Sequence, residues 1–242
     1  MSKATSAFVF CALILLTCPF PGITHQTAKA IAQSDDKLVY ADFDTIKDNR
    51  PVSTRGGALQ LFASSENSSN PPKFTGMPGA NDAPELVRLK ADDPNKAATF
   101  SYQLSSPNRY ASVTLDIHGL PDRGGQPVAE DVSRYRNLTL QIYAKGTPTP
   151  TGIQYIRIEL TSHGQGIKLQ YGFPQATLKL SPTGFNTYKL PFKLLAQPSW
   201  VEDRVDTKDV LKKLTSVQIS VYCEQCTPIV GTVVIDNVIF TN

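Results

Sequence analysis

The last quarter of the chain alternates with a period of two. In Leu214–Cys223 (LTSVQISVYC), Val217, Ile219 and Val221 take one side and Gln218, Ser220 and Tyr222 the other. That is the signature of a strand buried on one face. A second β-rich run, Gly231–Phe240 (GTVVIDNVIF), follows a turn holding Cys223, Cys226 and Pro228, so the two read as a terminal hairpin. Ahead of them, Thr187–Pro191 is a short extended run, followed by a loop carrying Trp200, the only Trp of the chain. The stretch DTKDVLKKL then predicts a helix of one to two turns. Asp206 is its N-cap, Asp209 lies in the first turn and Lys212 and Lys213 in the last, which suits the helix dipole.

Further strands are expected at Lys37–Phe43, Ala58–Ala63, Glu85–Lys90 and Ala97–Leu104. In YASVTLDIHG, Ala111, Val113, Leu115 and Ile117 alternate with Ser112, Thr114, Asp116 and His118. NLTLQIYAKG places Leu138, Leu140 and Ile142 on one face, IQYIRIELTS places Ile156, Ile158 and Leu160 on one face, and Ile167–Phe173 and Ala176–Leu180 follow. Roughly ten short strands separated by turn signals, with no long amphipathic helix, predict an all-β chain: a two-sheet antiparallel β-sandwich of the jelly-roll kind. Ser64–Pro84 is polar and rich in Pro and Gly, and reads as a long exposed loop rather than a domain boundary.

Residues 1–32 stand outside this pattern. Lys3 supplies a positive n-region, Ala7–Phe20 is an apolar run too short to span a bilayer comfortably, and Ala30-Ile31-Ala32 offers a cleavage site. These residues read as a secretory signal peptide, leaving 33–242 as one domain in a secreted or periplasmic protein with no membrane insertion after cleavage. Without Lys3 and Lys29 the chain keeps 22 basic against 21 acidic residues, so its charge gives no case for nucleic acid as a partner. Two cysteines leave with the leader. The remaining Cys223 and Cys226 form a C-x-x-C, which invites redox, zinc or disulfide readings. Redox motifs of this kind usually open a helix, and zinc needs a second ligand pair, so an oxidising compartment favours a local disulfide.

Signatures of catalysis are missing: there is no G-x-S-x-G, no H-E-x-x-H and no Gly-rich phosphate loop. Asp116 and His118 share a strand face and read as solvated polar positions. Binding without catalysis is the expectation.

Several pieces resemble one family. Tyr188-Lys189-Leu190-Pro191-Phe192, Trp200, Leu214-Thr215-Ser216-Val217 and Ile235-Asp236-Asn237-Val238-Ile239-Phe240 occur in the order found in galactose-binding-like β-jelly rolls among carbohydrate-binding modules. The opening Leu38–Asp44 and the run from Asp131 to Ile142 are similar to the same family, although Phe185 stands where its first Trp usually does. The resemblance implies a ligand groove on a concave sheet, built from Tyr, Arg and acidic residues. It also implies one structural Ca²⁺ held by Asp44 and Asp236; the other reading is that these two are ordinary turn or hydrogen-bonding residues, and Asp44 is shorter than the Glu of the family.

A sugar site needs aromatic faces to stack on pyranose rings and planar polar groups for paired hydrogen bonds to vicinal hydroxyls. The strand Tyr155–Leu160 offers Tyr155, Arg157 and Glu159 on one face. Were it to neighbour Gln141 and Tyr143 of the preceding strand, and Gln218 and Tyr222 of the later one, a polar-aromatic patch would result. The other reading is a sheet face that simply meets water. Trp200 is either the edge of a binding cleft or, as is common in the family, the residue that packs its loop against the sandwich. The resulting expectation is an exported, non-catalytic module that binds a soluble glycan or polysaccharide. The alternative is a protein-interaction or assembly module on the same fold, as in the complex I intermediate-associated proteins, whose "G-G-x-S" is faintly echoed by Arg55-Gly56-Gly57-Ala58.

Overall fold

The computed structural model describes residues 36–48, 50–63, 73–74, 84–104, 109–119, 127–146, 154–181, 183–223 and 229–242, all within a unit spanning Gln33–Asn242. Its strands are β1 (Lys37–Ala41), β2 (Ile46–Lys47), β3 (Arg50–Pro51), β4 (Leu59–Ala63), β5 (Lys73–Phe74), β6 (Glu85–Arg88) and β7 (Lys96–Leu104). They continue with β8 (Arg109–Asp116), β9 (Asn137–Gly146), β10 (Gln154–Thr161), β11 (Gln175–Leu180), β12 (Asn186–Pro191), β13 (Ser216–Cys223) and β14 (Ile229–Thr241). An α-helix, α1 (Thr207–Lys212), precedes β13, and a single 3-10 turn (Phe192–Leu194) follows β12. Asp206 caps α1 by accepting from the Lys208 N–H, with Asp209 in the first turn and Lys212 in the last, as its sequence requires.

Two large antiparallel sheets form, and β2 pairs with β3 in a small two-stranded one. The larger has seven strands in the path β12-β9-β14-β7-β5, with β1 also beside β14 and β6 beside β7; the smaller has five, in the order β11-β10-β13-β8-β4. Alternation along each strand sends one set of side chains to a shared interior. From the small sheet come Val113, Leu115, Ile156, Ile158, Val217 and Ile219, and from the large one Phe100, Tyr102, Leu138, Leu140, Val233 and Phe240, all essentially sealed from solvent. Each such side chain gains roughly 1.5–3 kcal/mol from leaving water, before conformational entropy is charged against it. Phe240 is the aromatic hub, with Tyr40, Phe192 and Tyr135 at ring-centroid distances of 5.5, 5.9 and 6.2 Å. Buried Tyr40, on β1, donates its hydroxyl to the Leu115 carbonyl on β8 and so ties the sheets together.

Near its end β14 changes phase. Val233 and Ile235 point inward, and so do Val238 and Phe240, an odd number of residues later. The pairing with β9 slips between Asp236 and Ile239, and Asn237 sits at φ 51°. This is a β-bulge, with Asn at the left-handed position that its short polar side chain tolerates. The bulge leaves Asp236 wholly buried.

Three expectations need correction. β13 and β14 do not form a hairpin: β13 lies between β10 and β8 in the small sheet, and β14 between β9 and β7 in the large one. Both runs are apolar on one face, and periodicity alone cannot assign a strand to a sheet. Ile167–Phe173 is not a strand. Its buried hydrophobic side chains, Leu169 and Phe173, are four apart, and Gly172, at φ 74°, turns the backbone out of the extended region. Within Ser64–Pro84, Lys73 and Phe74 return to pair with Gln103 and Tyr102. Among the described residues no helix is long and apolar enough to cross a membrane.

Candidate functional site

The outer face of the five-stranded sheet brings together residues from four strands. In register across it, Arg157 on β10 pairs with Ser220 on β13, and Ser220 with Ser112 on β8. Ser112 and Ser220 are buried although they point away from the core. Small side chains there let Arg157 lie across β13, and its guanidinium carbon sits 5.0 Å from the centroid of the Tyr110 ring on β8. The Arg157 side chain and the Tyr110 ring together bridge about two inter-strand spacings, close to 10 Å of sheet, and a cation over an aromatic face is attracted to it. Among the described residues the Ser220 hydroxyl has no hydrogen-bond partner.

On one side of this row are tyrosines. Tyr155, 37% exposed, pairs with Lys179 on the edge strand, and the backbone of Tyr222 pairs with that of Tyr110. On the other side lies a polar row in which Glu159 pairs with Gln175 and Gln218, and Gln218 with Thr114. The Gln218 side-chain amide donates to the Ser112 hydroxyl at 2.9 Å, and Glu159 accepts from the Phe173 N–H at 3.1 Å. Burial pushes the Glu159 carboxyl above the usual carboxylate range, against the opposing pull of Arg157 and the Phe173 N–H. At the same end burial raises Asp116 to about 6. Beyond it, His118 meets Glu130 at 2.9 Å and Arg55 meets the same carboxylate at 3.3 Å. The face is therefore aromatic at one end and carboxylic at the other, with a flat guanidinium between them.

Of the patch expected from sequence, Tyr155, Arg157, Glu159 and Gln218 share this face. Gln141 and Tyr143 do not. They stand on β9 in the seven-stranded sheet, where Tyr143 pairs with Val234, because the chain crosses to the other sheet between β9 and β10. Tyr222 is in the right strand, but its side chain lies outside the described residues, as do Cys226 and the Cys223 side chain, and with them the disulfide expectation. Tyr110 was not anticipated. It has the parity of Ser112 and Thr114, but only the strand order brings it to Arg157.

Trp200 is 68% exposed, in a loop held from several sides. Gln197 donates to the carbonyls of Gly172 and Asp203 and accepts from the Val205 N–H, and Arg204 donates to the carbonyls of Pro198 and Ser199. The indole rests against Gly172, where a Cβ would fall 3.0 Å from the Trp200 Cη2 and 2.3 Å from the Val201 Cγ2. Only glycine fits there.

Asp236 and Asp44 are brought to one region, together with Asp42 and Asn95. Asn95 donates to Asp236 Oδ2 at 2.8 Å, and Asn237 donates to both Asp236 oxygens. Asp44 accepts from the Lys96 N–H at 3.0 Å, and Asp42 accepts from the Asp44 N–H and the Thr45 hydroxyl. Phe43 between them is buried and held at φ 56°, a strained conformation for an aromatic residue. The Asp236 carboxyl is pushed above its ordinary value by burial first, and by the charges of Asp44 and Asp42 in addition. Among the described residues no three acidic, His or Cys side chains converge closely enough to share an ion. Carboxylate oxygens are the donors a hard cation takes, and Asp236 is the buried one of the three.

An open cleft of about 210 Å³ lies at the β4 edge, lined by Lys47, Asp48, Arg50 and Gln60 among others, and includes none of the Arg157 row. No family profile and no curated protein matches the sequence. Solved structures do. A family 11 carbohydrate-binding module from Clostridium thermocellum, in complex with a β-1,3-1,4-mixed-linked tetrasaccharide, superposes with a TM-score of 0.52 at 12% identity, covering 87% of this chain and 98% of that one. A family 11 module of a cellulosomal cellulase of the same organism gives 0.50 at 13% identity, covering 87% and 96%. At such identities the likeness speaks for the fold alone, a two-sheet β-jelly roll.

Proposed function

We propose that this chain is a non-catalytic carbohydrate-binding module that takes a soluble glycan chain on the outer face of its five-stranded sheet. One observation carries the reading: Arg157 laid over Ser220 onto Tyr110, with Tyr155 exposed beside it. A guanidinium presents paired donors to vicinal hydroxyls, and a neighbouring ring stacks on a pyranose face. The family 11 module named above was solved with a mixed-linked tetrasaccharide, which makes β-glucans the first ligands to try. Affinity electrophoresis of the protein through gels containing soluble polysaccharides is the test. Retardation of the wild type, lost in a Tyr155→Ala/Arg157→Ala variant, is the expected outcome. A folded protein that no glycan retards would overturn the reading in favour of an assembly module.

The proposal includes export after removal of residues 1–32, which N-terminal sequencing of the mature protein would show as a start near Gln33. It includes a Cys223–Cys226 disulfide, visible as two thiols that alkylate only after reduction. It also includes one structural Ca²⁺ held by Asp44 and Asp236, whose charge would offset the repulsion that Asp44 and Asp42 exert on the Asp236 carboxylate. Unfolding temperature with excess Ca²⁺ against chelator decides it: a rise of several degrees in wild type, absent in Asp236→Asn, is expected.

A further inference from the structure

Trp200 and Tyr171 are, at 68% and 67%, the most exposed of the large hydrophobic side chains among the described residues. Exposed aromatics on loops are commonly mobile; Trp200 is not arranged that way. Trp200 is backed by Gly172 and Val201, and its loop is cross-braced through Gln197 and Arg204. The Tyr171 hydroxyl accepts from Gln170 Nε2 at 3.0 Å. A bulky indole held in water on a braced loop leaves apolar surface hydrated. The bracing does remove the ordering cost of binding beforehand.

The position of the pair gives it a ligand. Gly172, against which Trp200 rests, is followed by Phe173, whose N–H is bound by Glu159 of the outer face. The loop then runs directly into β11, where Gln175 pairs with Glu159 on one side and bridges Ala196 on the other. The aromatic corner thus adjoins the carboxylic end of the face, and Tyr155 marks the opposite end. From Tyr155 to Glu159 along β10 is roughly 13 Å, more than one pyranose ring spans.

We infer that Trp200 and Tyr171 form a second stacking station for the same glycan, so that the protein recognises an extended chain rather than a terminal sugar. This rests on the proposed glycan reading of the Arg157 face. A ligand long enough to cover both stations stacks on Tyr155 at one end and on the Trp200–Tyr171 corner at the other. A short one occupies the Arg157 face alone.

The chain contains its own reporter, since Trp200 is the only Trp. Linear oligosaccharides of increasing length, cut from whichever polysaccharide retards the protein, are titrated by calorimetry and by Trp emission in parallel. Short oligomers are expected to release heat without changing the emission. Beyond a threshold length, emission shifts and acrylamide quenching falls, and affinity rises. Trp200→Ala and Tyr171→Ala each lower affinity for the long oligomers by about tenfold, the scale of one stacking contact, and leave the short ones unchanged. Calorimetric binding of long oligomers with Trp emission and quenching unaltered, and with Trp200→Ala binding as wild type, overturns the second station while leaving the Arg157 face intact. Absence of calorimetric binding by every oligomer removes the underlying glycan reading as well. Emission that shifts with protein concentration instead of oligosaccharide assigns the corner to a contact between copies of this chain and overturns the inference too.

Discussion

The two sheets share one interior but present different faces to solvent. On the seven-stranded sheet several outward positions are small hydroxyls that find partners close by. Ser101 meets Thr232 at 3.0 Å, Thr139 meets Thr241 at 3.4 Å, and Thr99 donates to the Val233 carbonyl at 2.8 Å. On the five-stranded sheet, hydroxyls form a buried floor instead, and long planar or charged groups lie over it. Arg157 crosses to Tyr110, Glu159 is held away from water, and Ser220 is left without a partner among the described residues. Both faces follow from the same polar half of a period-two pattern. What separates a wall from a site is whether neighbouring strands bring complementary small residues or a cation, a ring and a desolvated carboxyl.

The sharpest way to set the shared interior apart from either face is Phe240→Ala. It removes the ring that Tyr40, Tyr135 and Phe192 pack against, and is expected to cost about 3–5 kcal/mol. Urea unfolding should show a lower midpoint, and glycan affinity measured on the fraction still folded should be unchanged. Next in size is the contrast between the faces. Arg157→Ala removes both the paired donors and the stacking partner of Tyr110, and is expected to cost about 2–3 kcal/mol of glycan binding, or roughly 30- to 150-fold. Tyr143→Ala, on the other face, should bind as wild type. Equal losses from both variants would show that the outer faces do not differ in function.

How much of this was legible beforehand follows from what periodicity encodes. Alternation reports which side chains of a strand face inward, so the inner residues of β8, β10 and β13, and the shared face of Tyr155, Arg157 and Glu159, could be read from the sequence. The α1 boundaries were also readable, because Asp206 and the lysines of the last turn are local signals. Strand order is not local. Tyr143 has the same parity as Tyr155, yet β9 and β10 lie in different sheets, and nothing in either run announces the crossing. For the same reason Tyr110 was missed as the partner of Arg157, and a hairpin was expected of β13 and β14. Tyr171 is hidden in the sequence because the run Ile167–Phe173 has the composition of a strand, and only the positive φ of Gly172 shows it to be a loop.

Protonation gives a smaller and oppositely signed effect from the usual aspartate. The Asp116 carboxyl is raised from 3.8 to about 6 by burial, so the folded state holds its proton more tightly than the unfolded chain does. The contribution is fully present below about pH 4 and is lost as pH rises through about 6. By linkage it amounts to at most about 3 kcal/mol. Glu159 and Asp236 are shifted upward as well and act with the same sign. Stability followed by urea unfolding should therefore rise from pH 7.5 to pH 5. Asp116→Asn should be more stable than wild type at pH 7.5 and show a flatter profile. A wild type that loses stability steadily between pH 7 and 5 would contradict the burial of these carboxyls.

The smallest effect tests the floor of the site. Ser220 is 1% exposed, and among the described residues its hydroxyl has no partner. Ser220→Ala removes an unsatisfied polar atom and keeps the volume small, so it should stabilise the fold by about 1 kcal/mol and leave Arg157 free to lie over β13. Glycan affinity should hold within about twofold if the hydroxyl serves only as floor. Ser220→Leu is the complementary probe: its bulk lifts the guanidinium from the sheet and should weaken glycan binding as much as Arg157→Ala does. If Ser220→Ala instead destabilises the protein and weakens binding together, the hydroxyl has a partner of its own in solution, and the contrast with the paired threonines of the other face falls away.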